Sequence, residues 1–473
     1  MSEFVVLGLL IQVIALGLLF AKLGRTWHRH LGAIFILMAV LYHGVSEISI
    51  ACFPNRDPYR SLFDPKYLGQ FVLLISVAIL VFTIAYVWAI GKRRGPALPT
   101  DRLDAALTKR IFDYRLMILI TAPLLILSLG GQGYMSNGGL QGGAGVGAML
   151  GLTQQFFSLG VVLSGFGLVM RFGRRWIVRV VVVQSFILAL MGQRMPILIA
   201  AVVLIYALSR LGMEPERRGV VFGLVLLILF AWVITAARGA EGRYNASSGT
   251  STRLTFLTTG FSNLFSSSTG QEMAATLAYR LDGNSYGAIS LEVLDNGSSP
   301  VGLTPLKNDV LLAIPSFLNP NKDRTPVEDR DEKLYVERNL PIPELATSAS
   351  SQIDILPTQL GGLTGILGPI GLIFASLVLG LAFAALDRWL RRGMGPVRML
   401  VSLGMLYCVL DYEGSWDTYT TTARGILLLL ALMGSILGIR QLAQRANRSV
   451  WYHPSLPTGS MESVNEAQSR GPS

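Results

Sequence analysis

Runs of apolar residues near the length of a membrane-crossing helix constrain this 473-residue chain more than any other feature. A helix of about 20 apolar residues matches the hydrocarbon thickness of a bilayer. The composition agrees, because 51% of the residues are hydrophobic and only 15% are charged. Soluble domains carry about 25% charged residues. We therefore predict an all-α polytopic membrane protein with about 11 transmembrane helices, in a range of roughly 10 to 12.

The apolar segments divide the chain into four regions. We predict an N-terminal transmembrane bundle of roughly eight spans (1–237), a large extracytoplasmic loop (238–362), C-terminal spans (363–440) and a disordered polar tail (441–473). The first apolar segment follows no basic stretch, so we interpret it as a retained span. The candidate spans are 4–21, 31–51, 68–90, 114–130, 152–170, 177–191, 195–208, 219–237, 363–386, 399–410 and 425–439.

Arginine and lysine residues occur in every alternate loop, which is the positive-inside pattern. The basic loops contain Lys22, Arg25 and Arg29; Lys92, Arg93, Arg94, Arg102, Lys109 and Arg110; Arg171, Arg174, Arg175 and Arg179; Arg210, Arg217 and Arg218; Arg388, Arg391, Arg392 and Arg398; and Arg440, Arg445 and Arg448. This pattern predicts an outside N-terminus and a cytoplasmic C-terminus. The basic residues are mainly arginine, which hints at a GC-rich bacterial genome and hence a bacterial plasma membrane location. The basic loop residues that produce most of the net charge of +11 then serve to orient the helices. We therefore expect no nucleic-acid partner.

The sequence shows no pattern typical of a cofactor or metal site. Cys52 and Cys408 are the only cysteines, and the four histidines form no metal-ligand pair at helical spacing. The glycine-rich segment 130–147 lacks the Gly-Lys-Ser/Thr ending of a phosphate-binding loop. We interpret that segment as a connector. In the large loop, apolar patches at 274–281 and 310–318 predict short helices lying on the membrane surface.

Arg194 lies between two apolar spans, in Met-Gly-Gln-Arg-Met-Pro at 191–196. A charged side chain at a membrane boundary is costly unless it has an oppositely charged partner or binds a ligand. Arginine suits a diphosphate, because its planar fork binds oxygens in pairs and stays charged. The alternative is an arginine whose head group reaches to lipid phosphates.

Two further polar groups are candidates for a site. Arg280 and Asp282 lie together near an apolar stretch of the large loop, where the alternative is a surface ion pair of little energetic value. A turn between the last two spans combines acids, aromatics and hydroxyls with Asp411, Glu413, Asp417 and Arg424. These groups suit sugar contacts and proton transfer. The alternative is a polar turn with interfacial aromatic residues.

The segment 311–322, Leu-Leu-Ala-Ile-Pro-Ser-Phe-Leu-Asn-Pro-Asn-Lys, resembles the Pro-Arg-Phe-Leu-Trp-Pro-Asp-Lys-Pro stretch of O-antigen polymerase-like membrane proteins. Gly-Gln-Arg at 192–194 is similar to the Gly-Ser-Arg at the start of a span in that family. The glycine-marked segment 360–371 resembles a span that follows the proline-rich stretch. The sequence departs from the family pattern at Ser316, where the family often has arginine, at Asn319, where it has tryptophan, and at Gly362, which replaces a frequent glutamate. The resemblance covers roughly residues 190–390, in the family's order.

The resemblance implies a GT-C-like polymerase that joins oligosaccharide repeat units into a surface polysaccharide or exopolysaccharide. It implies undecaprenyl-diphosphate-linked oligosaccharides as donor and acceptor, no nucleotide sugar and no required metal. Polysaccharide-assembly proteins are further expected partners, beside the bilayer itself. Arg280-Leu281 resembles the arginine that precedes the family's proline-rich stretch. We assign Arg194 and Arg280 to the diphosphate and Asp282 as the third catalytic residue. We assign Lys322, Asp354, Asp417 and Arg424 to substrate binding, with Asp354 and Asp417 as alternatives to Asp282 for the base.

Three other functions fit the same sequence. A transporter or flippase of lipid-linked sugars would need polar residues within the spans, lining a path. The spans are predicted to be poor in such residues, which favours chemistry at one membrane face. An O-antigen ligase-type transferase would use the same donor with a different acceptor. A non-catalytic subunit of an exopolysaccharide assembly is the remaining alternative.

Overall fold

The computed structural model describes residues 2–52, 60, 63–91, 162–173, 175–190, 195–210, 281–314, 358–393 and 395–413, with scattered positions in 225–262 and 416–438. Residues 1–426 form one compact unit, and residues 427–473 form a second, smaller unit. Every helix named below belongs to the first unit.

Throughout the described residues the regular structure is helical and contains no strand. The helices are α1 (Glu3–Leu23), α2 (Leu31–Ala51), α3 (Pro65–Ala89), α4 (Val162–Phe172), α5 (Trp176–Leu190), α6 (Met195–Arg210), α7 (Asn284–Asp295), α8 (Thr304–Ala313), α9 (Gly361–Leu390) and α10 (Pro396–Leu410). A 3₁₀ segment, Gly24–Arg29, continues α1.

Four helices of the described part, α1 with its 3₁₀ extension, α2, α3 and α9, are long and apolar enough to cross a membrane. They coincide with the predicted spans 4–21, 31–51, 68–90 and 363–386, and confirm a helical membrane protein. The shorter apolar helices α4, α6 and α10 overlap three further predicted spans. The predicted span 114–130 lies outside the described residues.

Helices α1 and α3 run parallel and in close contact. A Cβ atom at Gly8 of α1 would lie 3.0 Å from Val72 of α3. One turn further along both helices, Gln12 Nε2 donates a hydrogen bond to Ser76 Oγ at 2.9 Å. Because α2 connects them, it runs in the opposite direction, as the predicted alternation of spans requires.

One buried carboxylate joins the helices at the end of the bundle where α2 begins. Asp387, near the C-terminal end of α9, accepts hydrogen bonds from the backbone N–H groups of Leu31 (3.0 Å) and Gly32 (3.1 Å). These groups begin α2 and have no acceptor within that helix. The Tyr86 hydroxyl of α3 donates to the same carboxylate at 2.7 Å. The ends of α2, α3 and α9 that meet here adjoin the basic residues Arg29, Arg388, Arg391 and Arg392.

Helix α9 is broken near its start. Gly368 has φ 74° and ψ 175°, and Pro369 has no N–H to donate to Gly365. The Gly365 carbonyl instead accepts from the backbone N–H of Val301 at 3.1 Å, and the Ile366 carbonyl accepts from Gly302 at 2.9 Å. The large loop therefore satisfies the carbonyl groups that the break releases.

Helix α7 of the large loop packs among the spanning helices, which the sequence did not predict. Its Gly287 leaves so little space that a Cβ atom would lie 2.0 Å from the Phe71 ring of α3. Its last residue, Asp295, accepts a hydrogen bond from Tyr67 of α3 at 2.6 Å. Tyr67 lies at the start of α3, so α7 enters the bundle by its N-terminal end.

Close packing of α9 on α3 predicts the effect of a larger residue at Gly380. A Cβ atom there would lie 2.5 Å from the Phe82 carbonyl oxygen. We expect Gly380→Val to lower the free energy of unfolding in detergent micelles by about 2 kcal/mol, because it separates the two helices. Gly17→Val in α1 is the matched control, since nothing lies within 4 Å of its Cβ position. Equal destabilisation by both variants would contradict this packing.

Candidate functional site

The site is centred on an irregular turn in α2. Residues Leu41–Val45 form a π-helical turn, in which Tyr42, His43 and Gly44 are buried. Such turns insert one extra residue and frequently occur at functional sites. The His43 side chain is fully buried within a span, so its two ring nitrogens need partners inside the protein.

Asp282 of the large loop fixes the start of α7, the segment that contacts α2. Its Oδ1 accepts from the backbone N–H groups of Asn284 (2.9 Å) and Ser285 (3.2 Å), and its Oδ2 accepts from the Ser285 hydroxyl. A carboxylate at a helix N-terminus satisfies unpaired N–H groups and opposes the helix dipole. The structure thus gives Asp282 a positioning role at the start of α7.

Asn284, the first residue of α7, joins the large loop to α2 through three hydrogen bonds. Its Nδ2 donates to Glu47 Oε1 at 2.8 Å and to the His43 carbonyl at 3.1 Å. Its Oδ1 lies 2.8 Å from His43 Nδ1. Because an amide oxygen only accepts, this network assigns the imidazole proton to Nδ1. Nε2 of His43 is then an acceptor.

A strained residue faces that acceptor. The Thr358 hydroxyl lies 3.4 Å from His43 Nε2 and accepts from the Gly361 N–H at 3.0 Å. Thr358 has φ 41°, which is a costly conformation for a β-branched residue. Gly283 packs against both side chains, since a Cβ atom there would lie 2.8 Å from Thr358 and 3.0 Å from His43. The three segments are therefore closely packed around the imidazole.

Glu47 connects the buried cluster to the surface. Glu47 lies four residues after His43 on the same helix. Its side chain is only 3% exposed and forms an ion pair with Arg60 at 2.6 Å. The Arg60 side chain is 25% exposed. A buried carboxylate is tolerated when it is paired and hydrogen-bonded. The chain His43–Asn284–Glu47–Arg60 therefore runs from the interior of the bundle to solvent.

The turn after α10 closes the site from another side. The Tyr42 hydroxyl donates to Glu413 Oε1 at 2.6 Å. The Tyr412 ring lies 5.4 Å from Tyr42 and 5.8 Å from His43, measured between centroids. The predicted polar turn therefore contributes an acid and an aromatic ring to the same site as the large loop.

Gln359, which is fully buried, fixes the position of this turn. Its backbone N–H donates to the Tyr412 carbonyl at 3.1 Å, and its Nε2 donates to the carbonyls of Cys408 (2.6 Å) and Asp411 (3.1 Å). Its two oxygens accept from Trp416 Nε1 and from the Tyr419 hydroxyl, both at 2.7 Å. One side chain and its peptide groups thus bind the whole turn to the start of α9.

Two of the predicted site residues lie in the described part of the chain. Asp282 lies in the buried cluster, as a helix cap. Arg424 is half-buried, and this burial lowers the pKa of its guanidinium, although an arginine remains charged. The other predicted residues lie outside the described residues; these are Arg194, Arg280, Lys322, Asp354 and Asp417.

The expectation that the spans contain few polar residues was wrong. His43, Glu47, Gln12, Ser76 and Asp387 are buried in the spanning helices. Hydropathy averaged over a span hides single polar residues among many apolar ones. The spacing of His43 and Glu47, four residues apart on one helix, was the available signal, because such residues share a face.

No family model, no curated protein and no solved structure matches this chain. In the described segments no group of three His, Cys, Asp or Glu side chains is arranged to hold a metal ion. Function is therefore inferred from the loop–bundle site, which comprises residues 42–47 of α2, 282–285 and 358–359 of the large loop, and 412–413 of the turn after α10.

The central role of Asn284 predicts a large cost for its loss. Asn284→Leu keeps the size of the side chain but removes partners from His43 and Glu47. We expect a loss of about 3 kcal/mol in the free energy of unfolding. We also expect faster proteolysis of the large loop in folded protein.

Asn296→Leu is the control for this variant, because Asn296 follows the same helix and is exposed. It should change stability by less than about 0.5 kcal/mol. If Asn284→Leu were as mild as the control, Asn284 would not hold the loop in the bundle.

Proposed function

We propose that this protein is a polymerase that joins lipid-diphosphate-linked oligosaccharides at one face of a membrane. The observation that supports it best is the burial of Asn284, a residue of the large loop, between His43 and Glu47 of α2. A substrate with a lipid tail and a sugar head needs groups from spanning helices and from an extramembrane loop in one place. The docked loop provides such a combined site.

The proposed reaction is a single displacement between two lipid-linked sugars. A hydroxyl oxygen of the acceptor sugar bonds to the anomeric carbon of the donor, and the bond from that carbon to the diphosphate breaks. A carboxylate takes the hydroxyl proton, and the lipid diphosphate leaves with the electron pair. Fixed cations stabilise the charge that develops on the leaving group.

The residues are assigned the roles expected from the sequence, with one change. Arg194 and Arg280 are proposed to bind the diphosphate, and Lys322 and Arg424 to provide secondary cationic contacts. Asp282 is proposed as a positioning residue, since both of its oxygens accept hydrogen bonds at the start of α7. The proposed base is then Asp354 or Asp417.

Further parts of the proposal concern the whole chain. We propose eleven spans in a GT-C-like arrangement, in the plasma membrane of a bacterium, with the N-terminus outside and the C-terminus in the cytoplasm. The donor and the acceptor would be undecaprenyl-diphosphate-linked, and polysaccharide-assembly proteins would receive the product.

Transport of lipid-linked sugars is the second candidate. Buried His43 and Glu47 in a span and the break of α9 at Gly368 favour it, because ionisable residues and discontinuous helices line transport pathways. A transporter would move the lipid-linked sugar between leaflets without making a bond.

One assay separates the candidates. Purified protein in nanodiscs receives a defined undecaprenyl-diphosphate oligosaccharide, and the products are resolved by size. The proposal predicts a ladder of longer chains. A single transfer to another acceptor would identify a ligase. Intact substrate, with accelerated movement between leaflets in proteoliposomes, would identify a transporter.

Arg194 gives the sharpest prediction for the polymerase. We expect Arg194→Ala to lower the rate of chain growth by about 100- to 1,000-fold, and Arg194→Lys to restore only part of it. Arg392→Ala is the control, because Arg392 is exposed near the end of α9, at the Asp387 end of the bundle. Normal chain growth by a folded Arg194→Ala variant would contradict the assignment.

A further inference from the structure

A stacked aromatic pair lies in the turn that follows α10. The rings of Trp416 and Tyr419 have centroids 5.0 Å apart and planes 22° apart. Both residues are partly exposed. Because the two rings are stacked, each covers one face of the other, and Tyr419, whose phenol is buried, supports the Trp416 ring from behind. The outer face of Trp416 is the apolar surface left for a ligand.

The polar groups of both rings already have hydrogen-bond partners within the protein. Trp416 Nε1 donates to the Gln359 carbonyl, and the Tyr419 hydroxyl donates to Gln359 Oε1. Burial, followed by neighbouring groups that include Asp411, raises the pKa of the Tyr419 phenol well above its ordinary value. The phenol thus stays protonated and keeps its hydrogen bond. The rings are fixed in place, and the outer face of Trp416 remains the surface for contact.

The turn that carries this pair also carries two carboxylates, Asp411 and Glu413. Glu413 lies three residues before Trp416, is partly exposed and is fixed through the 2.6 Å hydrogen bond from Tyr42. Asp411 contributes to the raised pKa of Tyr419. Negative charge at this place disfavours a phosphate or diphosphate, whereas carboxylate oxygens accept hydrogen bonds from hydroxyl groups.

We propose that Trp416, Tyr419 and Glu413 form the subsite for a sugar ring of the acceptor. The apolar face of a pyranose would lie against the outer face of Trp416, which Tyr419 supports, and its hydroxyl groups would donate to Glu413. In small-molecule sites, rigid aromatic side chains provide contact area, and a few fixed polar groups set the orientation of the ligand. This inference rests on the proposed polymerase function and specifies where its uncharged acceptor sugar binds.

The test measures binding of free tetrasaccharides, which carry no lipid and no phosphate. Full-length protein in nanodiscs is titrated with cello-, malto- and mannotetraose, and binding is followed by saturation-transfer NMR. We expect at least one tetrasaccharide to bind. Trp416→Ala should weaken that binding at least about ten-fold, and Glu413→Gln should weaken it as well.

Two variants serve as controls. Trp88→Ala removes an exposed tryptophan near the opposite end of α3 and should leave binding unchanged. Tyr419→Phe loses the hydrogen bond to Gln359 but keeps the ring, so its binding should fall by less than about three-fold. Oxidative footprinting of the unmodified protein adds a measurement without mutation, in which the bound sugar should protect Trp416.

The outcomes separate this inference from the proposed function. Absence of tetrasaccharide binding, or binding that Trp416→Ala leaves intact without protection of Trp416, would overturn the subsite. Normal chain growth by Trp416→Ala would also overturn it, while the polymerase would stand. Sugar binding at Trp416 by a protein that makes no polymer would support the subsite and overturn the polymerase.

Discussion

The arrangement of the described residues depends on one buried amide, that of Asn284. A polar side chain inside an apolar bundle is costly unless its donors and acceptors are paired. Asn284 pairs with both a ring nitrogen of His43 and the carboxylate of Glu47. The reverse also holds, because these two groups would lose partners if the loop withdrew. The large loop and α2 therefore stabilise each other.

A second buried contact fixes the opposite end. Asp387 of α9 binds the first N–H groups of α2 and the hydroxyl of Tyr86 on α3. Three spanning helices are thus joined at one end by a carboxylate. At the other end the Asn284 network joins the large loop to α2, and Thr358 connects His43 with the start of α9. This fixed frame positions Gln359, and through it the aromatic turn that carries Trp416. The proposed catalytic and sugar-binding groups would be held by the same frame.

The sequence predicted the parts of this structure that depend on apolar length. The range 31–51 agrees with α2, and the predicted polar turn contributes Glu413 and Tyr412 to the site. Three features were not predictable from hydropathy. The π turn at His43 and the positive φ of Thr358 are backbone details set by packing. The entry of α7 into the bundle depends on Gly287 fitting Phe71, a contact between residues far apart in sequence.

Docking of α7 between the spanning helices is the claim on which the site and both proposals depend. Cysteine cross-linking in native membranes tests it most directly, with Tyr67→Cys and Asp295→Cys introduced into a protein whose own Cys52 and Cys408 are replaced. The 2.6 Å contact joins the ends of these two side chains. The shorter cysteines should therefore be linked efficiently by a thiol reagent that spans the length of a tyrosine side chain. The pair Trp88→Cys and Asp295→Cys, about 30 Å apart along α3, should not link. Equal linkage in both pairs, or none in the first while both cysteines react with a thiol probe, would contradict the account.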